Sequence, residues 1–162
     1  MAKRVKVQPA QKGEAIVDYE EKVFPEYEAK PGERALFLIH TVPYEGSVGA
    51  VNLLTAMRTK RKGYDVSIIF YGPGSSIPVY RGWPKIGEDG YGIGIQGLPN
   101  LVERLIAQGV KIYACRFSAS ALQGHREDDF IAGVKLIHPT DILDLVIEHH
   151  RAGALIFNTW TV

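Results

Sequence analysis

The chain holds a single cysteine, Cys115, among its 162 residues. No internal disulfide can form, so a reducing compartment, the cytoplasm, is the expected location. Long hydrophobic runs are also missing. No unbroken apolar stretch approaches the roughly eighteen residues that a membrane span needs, and the basic Lys3-Arg4 start leads into no apolar region of a signal peptide. Neither leader nor membrane contact is expected. An excess of one charge is absent too: 19 Lys plus Arg face 18 Asp plus Glu, a net +1. That balance offers no general attraction to nucleic acid, and no nucleic-acid partner is expected.

Two further absences narrow the chemistry. Five histidines occur, but none in a recognised ligand spacing and with only one thiol beside them, so no metal site is expected. His149 and His150 stand about 100° apart on one helix and cannot share an ion; His150 points into the apolar arc and is expected to pack near the helix end. A dinucleotide cofactor is not expected either. Gly92-Ile-Gly94-Ile-Gln-Gly97 has the form G-x-G-x-x-G, but it follows no first strand and lacks the later acidic partner for a ribose.

At 46% hydrophobic residues, 162 positions can bury one sizeable core and are short for two. Residues 1–32 sustain neither helical nor strand period and read as an extended arm, whose Val5, Val7, Ile16, Val17, Val23, Phe24 and Tyr27 need a surface to cover. Residues 33–162 read as one α/β domain. Strands are expected at Arg34–His40, Asp65–Tyr71, Gly109–Cys115, Val134–Ile137 and Ala154–Asn158, with the last buried like the others. Helices are expected from Ser47 to Lys62 with Val48, Val51, Leu54 and Met57 or Arg58 at inward spacing, from Leu98 to Gln108, and from Pro139 to Arg151. Ile77–Gly97 holds two prolines and six glycines and reads as a long loop with a short strand at Pro78–Arg81. Alternating strands and helices predict a mostly parallel, about five-stranded sheet covered on both faces, a three-layer α/β/α architecture.

In such sheets ligands bind beyond the carboxyl ends of the strands. Those ends offer His40, Thr41, Tyr71, Cys115, Arg116 and Asn158, and Gly46-Ser47 opens the first helix with free backbone N–H groups that suit an anion. Cys115 lies where an apolar strand meets the next helix, a position that favours thiolate, although an unpaired cysteine also serves as a small core hydrophobe. His40 or His125 from neighbouring loops, with Asp128 or Asp129, would complete a nucleophile, base and orienter. Trp83 and Tyr91 in the glycine-rich loop supply apolar surface for a lid over this crevice, or for packing on the body.

Several segments carry a resemblance. From about Arg34 to Asn158, the strand ending in Tyr-Ala-Cys115, the helix after it and the overall strand order resemble the DsrE/DsrF-like proteins. A closer resemblance over nearly the whole chain is carried by Lys30-Pro-Gly-Glu33, His40-Thr-Val-Pro-Tyr-Glu-Gly-Ser47, Tyr71-Gly-Pro-Gly74, Arg81-Gly-Trp-Pro84, Tyr113-Ala-Cys-Arg-Phe117, Leu122-Gln-Gly-His125 and Asn158-Thr-Trp-Thr-Val162. Within that family they most resemble the nitrogen starvation response proteins encoded beside a nitrilase in bacterial gene clusters. The resemblance implies a three-layer α/β/α subunit, homo-oligomers of three or six copies, and a sulfur-accepting cysteine that maps onto Cys115. A protein that donates or accepts sulfur would then be its partner. Three readings follow in order: a thiol carrier using Cys115 with Arg116, a small-ligand or regulatory module, and a hydrolase or transferase pairing Cys115 with His125 or His40.

Overall fold

The structure, a computed structural model, describes residues 24–43, 47–80 and 97–160. Five strands form one sheet: β1 (Arg34–His40), β2 (Asp65–Phe70), β3 (Lys111–Cys115), β4 (Val134–Ile137) and β5 (Leu155–Trp160). Their order is β4-β3-β2-β1-β5, and every neighbouring pair is parallel. Helices α1 (Ser47–Arg61), α2 (Gly97–Ala107) and α3 (Pro139–Arg151) connect them. The expected α/β fold class is present. The expected strand at Pro78–Arg81 is reduced to one antiparallel bridge, Val79 to Phe130, with Arg81 outside the described residues.

Strand order dictates where the helices lie. From β1 to β4 the chain steps one way across the sheet, and right-handed crossovers keep those connections on one face. The return from β4 to β5 crosses the other face. Accordingly Phe37, Ile39, Ile68 and Phe70 pack with Leu53 of α1 and with Leu98 and Leu105 of α2 in the larger core. Leu36, Leu38, Ile69 and Ile137 meet Ile142, Leu145 and Val146 of α3 in the smaller one. Each fully buried aliphatic side chain contributes about 1.5–3 kcal/mol, so the two-helix face carries most of the stability. Among the described residues no helix is long and apolar enough to cross a membrane.

Three expectations are corrected. On α1 the buried stripe is Gly49, Ala50, Leu53, Ala56 and Met57, while Val51 is 59% exposed. Small residues set the closer approach: a Cβ on Gly49 would already touch Ile77 Cδ1 at 3.6 Å and Leu98 Cδ1 at 3.7 Å. The last strand is not buried on both faces. β5 lies at the sheet edge beside β1, with Leu155 45% and Ile156 40% exposed, although Phe157 stacks on Phe37 at 4.4 Å between ring centroids.

His149, not His150, is the buried histidine of α3, and His150 faces solvent. The Leu145 carbonyl, 2.8 Å from His149 Nδ1, can only accept, so Nδ1 carries a proton; in the neutral ring Nε2 then accepts from Ser67 Oγ at 3.2 Å. This polar strut ties α3 to β2. Replacing His149 with Ala is expected to cost about 1–3 kcal/mol, because the Ser67 hydroxyl is left buried without its partner, whereas His150→Ala should stay within about 0.5 kcal/mol. Urea denaturation of both variants checks the assignment.

Candidate functional site

The carboxyl end of the sheet is closed by a tight turn. After β2, Tyr71 donates its N–H to the Ile39 carbonyl at 3.2 Å, and residues Gly72–Ser76 coil into a 3-10 turn over the end of β1. Two glycines make this possible. Gly72 adopts φ +52° with its α-carbon against the His40 ring, and a Cβ on Gly74 would stand on the Ile39 carbonyl, 3.1 Å from its carbon. His40 is thereby wedged between Gly72 and the Tyr71 ring, whose centroid lies 4.7 Å away. Thr41 next to it is fully buried, and its Oγ1 has no hydrogen-bond partner among the described residues.

Cys115 ends β3 opposite Ile137 of β4 and is 5% exposed. Ile112 and Ala114 belong to the α1/α2 core, so the alternation of a strand puts Cys115 on the α3 face. Its carbonyl accepts from Ser118 Oγ at 3.3 Å. The chain then turns helical, and Ser118–Leu122 widens into a π-helical turn, a feature common at functional sites. Gln123 N–H reaches back to the Ser118 carbonyl and His125 N–H to that of Ala119, with Gly124 at φ +72° closing the turn. Phe117 and Leu122 remain exposed on it, at 55% and 62%.

His125 is held by the turn after β2. Its Nε2 lies 2.7 Å from Ser76 Oγ, which is also 3.3 Å from Gln123 Oε1. One hydroxyl proton cannot serve both; when it goes to Gln123, His125 donates from Nε2 and keeps Nδ1 as acceptor. The ring meets Phe130 edge-on at 6.1 Å. Arg116 pairs with Glu127 at 2.8 Å, both exposed, a contact worth at most about 1 kcal/mol. Between them opens a pocket of about 270 Å³, bordered by Arg116, His125, Arg126, Glu127, Phe130 and Leu136. Cys115 is not among its described lining.

The strand ends thus gather His40, Thr41, Tyr71, Cys115 and Arg116 at one end of the sheet, with His125 beside them. No hydrogen bond joins His125 to Cys115 among the described residues, and Asp129 caps the Arg126 N–H at 2.8 Å instead of orienting a histidine. Asn158 pairs with Leu38, two residues before the end of β5, and is exposed. Ser47 is the first residue of α1; Gly46, Trp83 and Tyr91 lie outside the described residues. Sequence reasoning missed Ser76, Arg126, Phe130 and Leu136. The dense charge run from His125 to Asp129 after Gly124 was the one available signal, since it had to fold over some surface.

A family model matches residues 33–152 with the description DsrE/DsrF-like family. The chain belongs to the DsrE/DsrF-like family. Solved structures share its fold. The ychN protein from E. coli is 16% identical, with a TM-score of 0.62 over 78% of this chain and 99% of its own. The protein of unknown function MTH1491 from Methanobacterium thermoautotrophicum is also 16% identical, with a TM-score of 0.55 over the same shares. No curated protein matches the chain. In this DsrE-like chain the family match spans β1 through α3 and includes Cys115, while β5 lies beyond it.

Gly74→Ala is expected to lower stability by about 1–3 kcal/mol, as overpacking against backbone that cannot yield does; urea midpoints measure it. Burial raises the Tyr71 phenol above its ordinary 10.0. The folded state then holds that proton where the unfolded chain has lost it. The stability this contributes is intact below pH 10 and falls away as pH rises through the raised value. Tyrosinate absorbance of the native protein, compared with Tyr71→Phe, should show one late-titrating phenol that the variant lacks.

Proposed function

We propose that this DsrE-like protein is a cytoplasmic thiol carrier of the nitrogen starvation response, in which Cys115 accepts a sulfane sulfur. The observation that carries the reading is the placement of Cys115: the chain's one thiol is the last residue of a parallel strand, directly before a helical segment with a π turn. The family's resemblance to sulfur-relay subunits favours the same residue. The link to nitrogen starvation rests on the segments quoted above, from Lys30-Pro-Gly-Glu33 to Asn158-Thr-Trp-Thr-Val162.

In the transfer, the Cys115 thiolate attacks the outer sulfur of a donor persulfide. A new S–S bond forms on Cys115, the donor's S–S bond breaks, and the donor leaves as a thiolate. No external oxidant or reductant is needed, because the sulfane sulfur keeps its oxidation state. Arg116, the next residue, offers a positive charge near the departing thiolate once it leaves Glu127, a surface pair weak enough to exchange. At 5% exposure the sulfur must be uncovered by local opening at the end of β3 for a donor to reach it.

Homo-oligomerisation, to three or six copies, belongs to the same proposal. Leu143 on α3 and Leu155 and Ile156 on β5 are exposed at 65%, 45% and 40%, apolar area that a neighbouring copy would cover.

Intact-mass measurement after incubation with inorganic polysulfide tests the carrier. The native protein should gain the mass of one or more sulfur atoms that a reducing thiol removes, and Cys115→Ser should gain none. An unchanged mass in the native protein, or an equal gain in the variant, would refute it.

A further inference from the structure

The pocket beside the π turn has features that sulfur transfer does not use. It encloses about 270 Å³ and the Cys115 sulfur is not part of its described lining. Its floor is apolar, with Phe130 only 8% exposed and Leu136 half-buried. Its rim is basic: Arg116 and Arg126 against the single carboxylate of Glu127. Glu127 already engages Arg116 at 2.8 Å, although both are more than half exposed. A carboxylate from this chain therefore occupies the place an anionic ligand would take, held by a bond weak enough to exchange. Across the pocket, Ser76 pins the His125 ring at 2.7 Å and Phe130 meets it edge-on, so this wall is set before anything enters.

We infer that this pocket is a binding site for a small carboxylic acid with an apolar or aromatic body. The carboxylate exchanges with Glu127 on the arginine rim, and the body rests on Phe130 and Leu136. Size agrees with the chemistry: a cavity of about 150 Å³ holds benzene, so a pocket of about 270 Å³ takes one ring and its carboxylate. Phosphate or sulfate would satisfy the rim and leave the floor unused. Guanidinium groups favour planar, two-oxygen acceptors, which a carboxylate supplies. This site does not rest on the carrier role of Cys115.

Benzoate is the probe, with benzamide, benzylamine and inorganic phosphate as comparators. Calorimetric titration on the full-length Cys115→Ser protein removes thiol chemistry from the readout. Benzoate is expected to bind saturably, in the millimolar range or tighter, and ahead of all three comparators. Arg126→Ala should weaken it roughly tenfold, the loss of one charge-assisted hydrogen bond. Glu127→Gln, which takes away the competing carboxylate, should tighten it. No saturable benzoate binding, equal binding of benzamide or phosphate, or affinities that neither variant moves would overturn the inference.

Discussion

The carboxyl end of the sheet is organised by the close seat of the Gly72–Ser76 turn on the end of β1. Gly74 lies so near the Ile39 carbonyl that no side chain fits between them. That contact brings Tyr71 against His40 and presents Ser76 to His125. The turn also packs along the π turn that follows Cys115. Two loops distant in sequence are thereby held in register by backbone proximity, and the side chains they carry inherit their positions from it. A methyl group at residue 74 would be felt at His125 through Ser76, with no substitution in the pocket itself.

How far the sequence reveals this architecture depends on whether each signal is local. Apolar runs at Arg34–His40 and Asp65–Phe70, Pro139 at the first turn of α3 and Gly153 after its end are written in short stretches, and each element is present. Faces were harder. α1 has valines at helical spacing, yet it buries Gly49, Ala50 and Ala56, because closeness to α2 and Ile77 outweighs the area of a larger side chain. His149 and His150 are equivalent in sequence; only Ser67, 82 residues away, distinguishes them. Likewise Leu155 and Ile156 read as core, since nothing local reveals that β5 has one neighbour and not two. The same rule applies to the site. Cys115 and Arg116 are legible as a strand end, whereas Phe130 and Leu136 border one pocket with Arg116 only through the tertiary fold.

The two faces of the sheet have different jobs. One carries α1 and α2 over a continuous core that includes Ile77, Val79, Phe130 and Ile131. The other has α3 alone, with His149 as its one residue buried to within 5%. A polar strut at that point fixes the register of the helix without demanding a wide apolar seam, and Ile156, which faces this side of the sheet beside Leu36, stays 40% exposed.

Strand order also sets the sequence of events in folding. β1 pairs with β2 across one short helix, but its other partner, β5, comes from far down the chain; Thr159 Oγ1 donates to the Leu38 carbonyl 121 residues away. The entropy of closing so long a loop must be met before the Phe37–Phe157 stack returns anything. β1 through β4 can therefore collapse on α1 and α2 first, with Leu36 and Leu38 uncovered until α3 and β5 arrive. A nascent chain at that stage presents the open side of β1, a strand with free hydrogen-bonding groups, to whatever meets it.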